Sequence, residues 1–478
     1  MQKEIVKNTS IYIGMGFFTQ GIIFLLWIIL ARFIDPSQIG TYVLAMFVFD
    51  FLGVISVLGL DSAMTRFYHS EHNISSVLTN SLFIVFISNF LTIVFFLLIS
   101  FLIPRFIPGL SDILKENLFL FVAVIFSVPI GNFFLTHYIA LKKALSYVKL
   151  NVFQTVLFVI LSFILVKIGM GIVGVIYSYF ISYFLIVVIF LLKERKLLSF
   201  KLISSKIIKK LTSYGIPLMI YGAIGIFIGY FSRILLDKYT TLEVVGIYGF
   251  FLIITSQVNG LWGSFNRAWT PEIFSKLLKD KEKTLADIEY ATFFLSFAYL
   301  LIFFLLVVVG KTFLFRFIFK EIYLSNIYIL YILLLAPLFT SVYTVCYPLY
   351  YYENKTKRIM FISLLISGIN LLLTLFLVNY FGQTGAAVIY LMMSALTLFI
   401  YSFVFKKIAR IPAKIINWSY LLVLMSSLSV LMLLMYKSSF LFLLPIILTI
   451  FMAYKMGNLY DKKYLLLDVF NIIKNKIN

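Results

Sequence analysis

Long apolar runs recur along almost the whole chain and limit what it can fold into. A helix needs about 20 mostly apolar residues to cross the hydrocarbon core of a bilayer. Fourteen runs of about this length occur, at residues 10–31, 39–60, 77–103, 117–140, 150–168, 171–192, 214–236, 244–266, 290–310, 327–351, 359–380, 385–405, 417–436 and 440–456. The sequence therefore predicts an all-α integral membrane protein with about 14 transmembrane helices.

The composition excludes a soluble protein. Of 478 residues, 62% are hydrophobic and 12% are charged, and the mean hydropathy is +1.06. Soluble domains average about 25% charged residues. The first run is longer than the roughly 7–15 apolar residues of a signal peptide and no A-x-A cleavage site follows it, so it reads as a retained span.

Lys and Arg residues are numerous in every second loop and few in the loops between. Under the fourteen-span scheme, one side collects 30 Lys and Arg residues, including those of both termini, and the other side collects 10. Positively charged loops stay in the cytoplasm, so both termini are predicted to be cytoplasmic. The net charge of +21 is thus explained by topology, and no nucleic acid partner is expected. The segment 193–210 carries seven of the basic residues, and we expect it to contact anionic membrane lipids.

A repeat relates the two halves of the chain. LARFIDPSQIGTY (Leu30–Tyr42) returns 206 residues later as LDKYTTLEVVGIY (Leu236–Tyr248). Further landmarks follow in the same order: Pro129 with Pro337, Lys142 with Lys355, Gly169 with Gly382, and Val175–Tyr177 with Val388–Tyr390. Each half has an even number of spans, so both have the same orientation in the membrane, as in transporters built from parallel repeats.

This repeat predicts a division of the chain into four parts. Residues 1–192 form an N-terminal six-helix lobe, and residues 193–213 form a basic cytoplasmic linker. Residues 214–405 form a C-terminal six-helix lobe, and residues 406–478 form an additional helix pair and a cytoplasmic tail. Two six-helix lobes that face each other across a cavity are a transporter architecture.

Polar side chains follow helical spacing in several spans. Among them are Asn151 and Gln154 in the fifth span, Gln257 in the eighth and Asn370 in the eleventh. Such residues either line a cavity or hold membrane helices together. Their occurrence in repeat-related spans strengthens the case for the cavity, and both roles stay open.

Charged residues inside the spans are the strongest functional candidates. Asp50 lies eleven residues from one end of its run and ten from the other, and an ionised carboxylate at that depth is costly unless it is paired or hydrated. It is a counter-ion to an arginine, a site for H+ or Na+ coupling, or a neutral hydrogen-bonded acid. Asp50, Val54, Val57 and Asp61 share one helical face. Arg66 and Arg267 follow repeat-related spans, and Arg233 lies near the end of the seventh; each is a cavity residue or an interfacial anchor.

Enzyme and metal motifs are missing from the sequence. Gly310–Thr312 resembles the end of a P-loop but lacks the preceding glycine, and there is no H-E-x-x-H motif. The single cysteine, Cys346, and three histidines provide no cluster for a metal. We therefore expect neither a catalytic site nor a metal or other cofactor, apart from H+ or Na+ coupling.

Several short motifs stand at the ends of the apolar runs: ARFIDPSQIGTY (Ala31–Tyr42), GLDSAMTRFY (Gly59–Tyr68), FNRAWTPEIF (Phe265–Phe274) and the glycine turns at Gly169–Gly174 and Gly382–Gly385. Together they resemble the motifs of the Wzx-type oligosaccharide flippases, which belong to the multidrug/oligosaccharidyl-lipid/polysaccharide flippase superfamily. The likeness covers residues 1 to about 410. It implies a V-shaped pair of helix bundles that moves an undecaprenyl-pyrophosphate-linked glycan outward across the bacterial cytoplasmic membrane, for O-antigen or capsule synthesis.

The resemblance also implies roles for the polar residues. The cationic cavity lining of the family falls on Arg66, Arg233 and Arg267, which would bind the diphosphate. Asn151, Gln154, Gln257 and Asn370 would bind sugar hydroxyls, and other polysaccharide-assembly proteins are expected partners. Two alternatives stay open: an ion-coupled multidrug exporter of the same superfamily, and a membrane-embedded glycan polymerase. The basic candidate residues argue against the multidrug exporter, and the short outer loops argue against the glycan polymerase.

Overall fold

The computed structural model describes residues 2–68, 74–141, 143–277, 320–352 and 356–409, together with isolated positions between 284 and 306. All regular structure in these ranges is helical, and they contain no strand. The α-helices are α1 (Gln2–Leu30), α2 (Pro36–Val57), α3 (Leu60–Phe67), α4 (Ile74–Ile99), α5 (Ile103–Phe106), α6 (Ser111–Ala140), α7 (Ala144–Leu165), α8 (Gly171–Glu194), α9 (Ser205–Tyr239), α10 (Leu242–Leu277), α11 (Glu321–Ser325), α12 (Ile327–Tyr352) and α13 (Thr356–Ala409).

Seven helical segments in the described ranges are long and apolar enough to cross a membrane, and two shorter apolar helices accompany them. Large apolar side chains face outward on these helices; Phe90, Leu98 and Phe119 are 65%, 65% and 82% exposed. Such a surface belongs in lipid. The predicted all-helical, multi-span membrane protein is confirmed. The count of fourteen remains a prediction, because most of span nine and all of spans thirteen and fourteen lie outside the described residues.

Two of the seven segments are hairpins that reverse at a glycine. A straight helix of the 54 residues in α13 would be about 80 Å long, far more than a bilayer core of about 30 Å. The reversal occurs at Gly382, with φ 53° and ψ −133°, and Gly171 between α7 and α8 has nearly the same angles, φ 53° and ψ −139°. Side chains other than hydrogen strongly disfavour this conformation.

A second glycine follows each reversal after three residues. A Cβ at Gly174 would lie 2.9 Å from Leu165 Cβ, and one at Gly385 would overlap the Leu377 carbonyl oxygen, so both glycines let the returning helix pack closely. The matched conformations pair Gly171 with Gly382 and Gly174 with Gly385. The repeat therefore has an offset of 211 residues here, and the predicted pairing of Gly169 with Gly382 is shifted by two.

Helix α2 lies at the centre of the described helices. It packs on α4 and α6 from the N-terminal half of the chain and on α9 and α10 from the C-terminal half. Near its first turn it meets α10 through Gly40 and Gly246, the equivalent glycines of the sequence repeat. A Cβ on either residue would overlap a backbone carbonyl oxygen of the other helix, at Leu242 or at Pro36. The two copies of the repeated motif thus pack directly against each other.

One end of the molecule, here called the Asp35 end, is closed by contacts between the two halves of the chain. The backbone N–H of Gly109, which precedes α6, donates a hydrogen bond of 2.9 Å to Oδ2 of Asp237 in α9. Lys320 Nζ lies 2.7 Å from Asp35 Oδ1 and 3.2 Å from the Ile34 carbonyl oxygen. The glycine contact of α2 and α10 lies at the same end.

The opposite end, here called the Arg66 end, holds the basic linker. Asn80 in α4 donates from Nδ2 to the Leu202 carbonyl oxygen at 2.8 Å, and its Oδ1 accepts from the Ser204 N–H at 2.9 Å. Both hydrogen bonds tie the linker to the start of α4. The backbones of Gly59 and Gly215 also touch here, so that α2 and α3 pack against the first half of α9.

Candidate functional site

A cavity of about 340 Å³ lies between α2, α3, α6 and α9. Asp50, Val54 and Val57 of α2 line it, and so does Asp61. Asp61 lies in α3, beyond the break in the helix at Leu58 and Gly59, so the predicted face is not that of one continuous helix. Asp50 and Asp61 are the charged residues among its described lining. The other lining residues are Phe49, Gly53, Gly59, Ser62, Val128, Pro129, Asn132, Phe133, Thr136, Leu218, Met219, Gly222 and Ile226.

Asp50 bonds across the boundary between the two halves of the chain. Tyr230 in α9 donates its hydroxyl hydrogen to Oδ2 of Asp50 in α2, at 2.6 Å. Charge-assisted O–H···O⁻ bonds are typically this short and about twice as strong as neutral ones. Since α2 precedes the linker and the part of α9 that carries Tyr230 follows it, this hydrogen bond connects the two predicted lobes at the depth of Asp50.

Arg233 completes this cluster one turn further along α9. Its guanidinium carbon lies 4.2 Å from the centre of the Tyr230 ring, a cation–π contact, and its charge attracts that of Asp50. Within the described part of the chain, its buried Nε has no hydrogen-bond partner. A guanidinium has five N–H donors, so Arg233 retains capacity to bind a further acceptor.

Tyrosines surround the cluster on both sides. Tyr42 and Tyr183 lie within electrostatic reach of Asp50, whereas Tyr248 in α10 and Tyr390 in α13 lie within reach of Arg233. Their hydroxyls create a polar environment inside a bundle that is otherwise apolar. Phosphate oxygens and sugar hydroxyls both hydrogen-bond well to such groups.

A second cavity of about 240 Å³ lies between α1, α2, α7, α8 and α10. Gln154 and Gln257 line it, together with Tyr42 and Tyr183. Gln154 is buried and donates to Ser182 Oγ at 3.1 Å, which joins α7 to α8. The Gln257 amide bonds within its own helix, to the Ile253 carbonyl oxygen at 3.3 Å.

The other predicted residues are dispersed. Arg66 is exposed at the Arg66 end, where its guanidinium carbon lies 4.6 Å from the Tyr214 ring centre. Arg267 belongs to α10, but its side chain lies outside the described part. Asn151 and Asn370 line neither of these cavities; Asn370 Oδ1 accepts from Thr374 Oγ1 at 2.9 Å in its own helix.

The lining of the larger cavity differs from the cationic lining that the family resemblance implies. Its charged residues are acidic, and Arg66 and Arg233 stand outside the lining. Sequence reasoning did not predict the bond of Tyr230 to Asp50. It also missed Asn132 and Tyr183. Among the described residues, no group of His, Cys, Asp or Glu is arranged to hold a metal ion.

Comparison with known proteins gives a family and a fold. The sequence model of a family described as "Polysaccharide biosynthesis protein" matches residues 5–278, more than half of the chain. No curated protein sequence matches the chain. Several solved structures match over most of their length and at low identity.

Three of these structures are instructive. The lipid II flippase MurJ, in an inward closed conformation, is 15% identical with a TM-score of 0.70, covering 92% of this chain and 96% of its own. An inward-facing multidrug resistance MATE family transporter of the MOP superfamily is 12% identical with a TM-score of 0.66, covering 88% and 99%. A MOP superfamily transporter from Pyrococcus furiosus, whose binding pocket is described as reversed in polarity, is 14% identical with a TM-score of 0.53, covering 89% and 96%. At these identities the likeness shows a shared fold.

Proposed function

The chain belongs to the polysaccharide biosynthesis protein family, and from this premise we propose that it is a flippase for lipid-linked oligosaccharides. It moves an undecaprenyl-pyrophosphate-linked glycan from the inner to the outer leaflet of the bacterial cytoplasmic membrane by alternating access. The product serves surface polysaccharide assembly, such as that of O-antigen or capsule. The likeness of fold to the lipid II flippase MurJ supports a role in moving a lipid-linked headgroup.

The observation that carries the proposal is the partly buried cluster of Tyr230 and Arg233 at the contact of α2 with α9. A diphosphate must cross a layer of low dielectric constant, where an unpaired charge costs several kcal/mol. Arginine binds phosphate oxygens through paired N–H groups, and Arg233 has an unused buried donor within the described residues. A positive charge at this position therefore lowers the cost of the crossing.

The remaining candidates have secondary roles in this proposal. Arg66 and Arg267, near the inner ends of repeat-related spans, receive the diphosphate from the cytoplasmic leaflet. Asn151, Gln154, Gln257 and Asn370 bind sugar hydroxyls, and the polyprenyl tail stays in lipid. Protein partners would be other polysaccharide-assembly proteins. The protein is proposed to act as a transporter rather than as an enzyme, with no metal.

In the proposed orientation the Asp35 end faces outward and the Arg66 end faces the cytoplasm, as do both termini. The basic linker then lies against the anionic inner leaflet, where each Lys or Arg near the surface contributes about 1 kcal/mol to lipid binding. The contacts at the Asp35 end close the path to the outside. They must break in each cycle for the glycan to leave.

The decisive experiment measures flipping in proteoliposomes. Fluorescent undecaprenyl-pyrophosphate-linked glycan is added to both leaflets, and an impermeant quencher reports how much is exposed outside. We expect Arg233→Ala to reduce the flipping rate at least tenfold and Arg233→Lys to retain part of it, because the charge remains but the fork is lost. Arg105→Ala is the control, since Arg105 is an exposed residue of α5 outside the cluster. Equal rates for the wild type and Arg233→Ala would refute the proposal.

One observation favours a second candidate, an ion-coupled exporter of organic cations. Asp50 and Asp61 give the larger cavity an acidic lining, which suits a cationic ligand. Vesicles that contain the protein are loaded with a cationic dye, and efflux is followed with and without a proton gradient. Gradient-driven dye efflux without glycan flipping would replace the flippase proposal with this one.

A further inference from the structure

The hydrogen bond from Tyr230 to Asp50 uses a donor that the proposed diphosphate site needs. We infer that Asp50 is a placeholder: its carboxylate occupies the hydroxyl donor of Tyr230 beside Arg233, and a diphosphate bound by Tyr230 and Arg233 displaces it and thereby releases α2 from α9. This inference rests on the proposed function and specifies how its binding site controls movement of the helices.

A carboxylate and a phosphate compete for the same hydrogen-bond donors. Carboxylate and phosphate oxygens accept from the same donors, and both form paired contacts with a guanidinium. The Asp50 carboxylate, however, uses only one hydrogen bond, from Tyr230 at 2.6 Å, and no ion pair within 4.0 Å joins it to Arg233 in the described structure. A diphosphate carries more charge and more acceptor oxygens than a carboxylate. It therefore competes effectively for both residues.

The second step is the position of the three residues. Asp50 lies in α2, whereas Tyr230 and Arg233 lie in α9, so the contact bridges helices from the two halves of the chain. A diphosphate held by Tyr230 and Arg233 binds to α9 alone and repels the displaced carboxylate. The attraction that held α2 to α9 becomes a repulsion when the ligand arrives.

The third step is space for the displaced side chain. Asp50 already lines the cavity of about 340 Å³, beside Gly53 and Asn132. Its carboxylate can turn into this cavity without entering a packed interior. Toward the Arg66 end, α2 and α9 also pack beside this cavity, where a Cβ at Gly222 would lie 3.3 Å from Val54 Cγ1. The distance between these two residues therefore reports whether α2 has moved away from α9.

The ligand separates the helices only if it binds more tightly to the separated state than to the joined one, because only differential affinity shifts a conformational equilibrium. The Asp50 contact supplies this difference. Removing the carboxylate must therefore have two linked effects: the helices separate more easily, and the diphosphate binds more tightly because its competitor is gone.

The test uses disulfide formation in the full-length protein in nanodiscs, with Cys346 replaced by Ser. Val54→Cys with Gly222→Cys reports the α2–α9 contact. Val43→Cys with Gly249→Cys reports the α2–α10 contact and is the control, since a Cβ at Gly249 would lie 2.7 Å from Val43 Cγ2. The probes are inorganic pyrophosphate and undecaprenyl pyrophosphate. We expect either probe to reduce the rate of the first disulfide at least fivefold and to leave the second unchanged.

Affinity for pyrophosphate gives an independent readout. Asp50→Asn should raise the affinity about tenfold and slow the α2–α9 disulfide even without a probe. Tyr230→Phe keeps the ring under Arg233 but loses the donor, so it should loosen the helices without raising the affinity. A response to undecaprenyl pyrophosphate alone would keep the inference and assign the ligand to the lipid-linked form.

Two results would overturn the inference: a disulfide rate that neither probe changes, or a lower affinity for pyrophosphate in Asp50→Asn. The flipping assay separates this failure from failure of the proposed function. If the wild type flips the glycan while both cross-linking and affinity contradict the placeholder, the flippase proposal stands and Asp50 has another role.

Discussion

The contact of α2 with α10 at the Asp35 end gives a sharp prediction. Gly246→Ala adds one methyl group, whose carbon would overlap the Pro36 carbonyl oxygen and lie 3.0 Å from the Gly40 nitrogen. Both neighbours are backbone atoms, so no side chain can rotate away. The helices must move apart, and overpacking of this kind typically costs about 1–3 kcal/mol. Because 1.4 kcal/mol is a factor of ten, the closed state loses roughly 5- to 150-fold in population relative to states with this end open.

The disulfide between cysteines at positions 43 and 249 measures this effect. In the Cys346→Ser background, we expect Gly246→Ala to slow its formation at least fivefold and to make the cysteine at position 43 accessible to an impermeant thiol reagent. Gly225→Ala in α9 is the matched control, because a Cβ there meets nothing within 4 Å. If Gly246→Ala and Gly225→Ala form the disulfide equally fast, the close glycine contact does not hold this end closed, and the reasoning is wrong.

Three further predictions concern the two ends of the molecule. Single cysteines at Ser111 and Ser199 should label from opposite sides of intact cells, and labelling of both from outside would contradict the proposed topology. Arg66→Ala should abolish glycan export at unchanged membrane abundance, with partial recovery in Arg66→Lys; normal export would leave Arg66 as an anchor beside Tyr214. The exposed ion pair of Asp35 with Lys320 should contribute less than about 1 kcal/mol, so Lys320→Gln should lower the melting temperature by only a few degrees, and a large loss would show a stronger link.

The helical class and most of the individual helices could be predicted, because the signal for a membrane span is strong. Apolar runs of about 20 residues have no stable alternative in lipid, where every backbone group must be satisfied internally. The short reversals were harder to place. Both Gly169 and Gly171 have positive φ, and only the local geometry shows that Gly171 is the equivalent of Gly382. Aligning the two halves by residue identity therefore paired Gly382 with Gly169, two residues away from its structural equivalent.

The candidate site was only partly predictable, for a physical reason. Depth in a span identifies Asp50 as costly, and helical spacing places it on one face with Asp61. Neither signal shows which partner from a distant helix approaches that face. The bond from Tyr230, 180 residues away, depends on how α2 and α9 pack against each other. For the same reason, the family resemblance implied a cationic lining on Arg66 and Arg233, whereas the charged residues in the described lining of this cavity are Asp50 and Asp61.

A role of Asp50 in ion coupling is a further prediction, which rests on its place in the cavity lining and near Arg233. A carboxylate that a diphosphate has displaced loses its positive partner at a depth where an unpaired charge is costly, and taking up a proton removes that cost. We therefore expect the wild-type flipping rate to rise with an imposed proton gradient, whereas Asp50→Asn flips glycan only down its own gradient and independently of protons. Asp112→Asn, an exposed acid at the start of α6, is the control and should keep the dependence.

A sodium gradient imposed in place of the proton gradient identifies the ion, because a carboxylate can also be neutralised by Na+. Asn cannot bind either ion as a charged ligand, so the Asp50→Asn variant should respond to neither gradient. Because this variant should bind the diphosphate more tightly, it should release the flipped glycan more slowly. Its steady-state flipping rate should therefore fall, whereas the rate of a single crossing should stay fast. If Asp50→Asn retains full gradient-driven flipping, Asp50 neither couples transport to an ion nor neutralises a needed arginine, and its bond to Tyr230 serves only to pack α2 against α9.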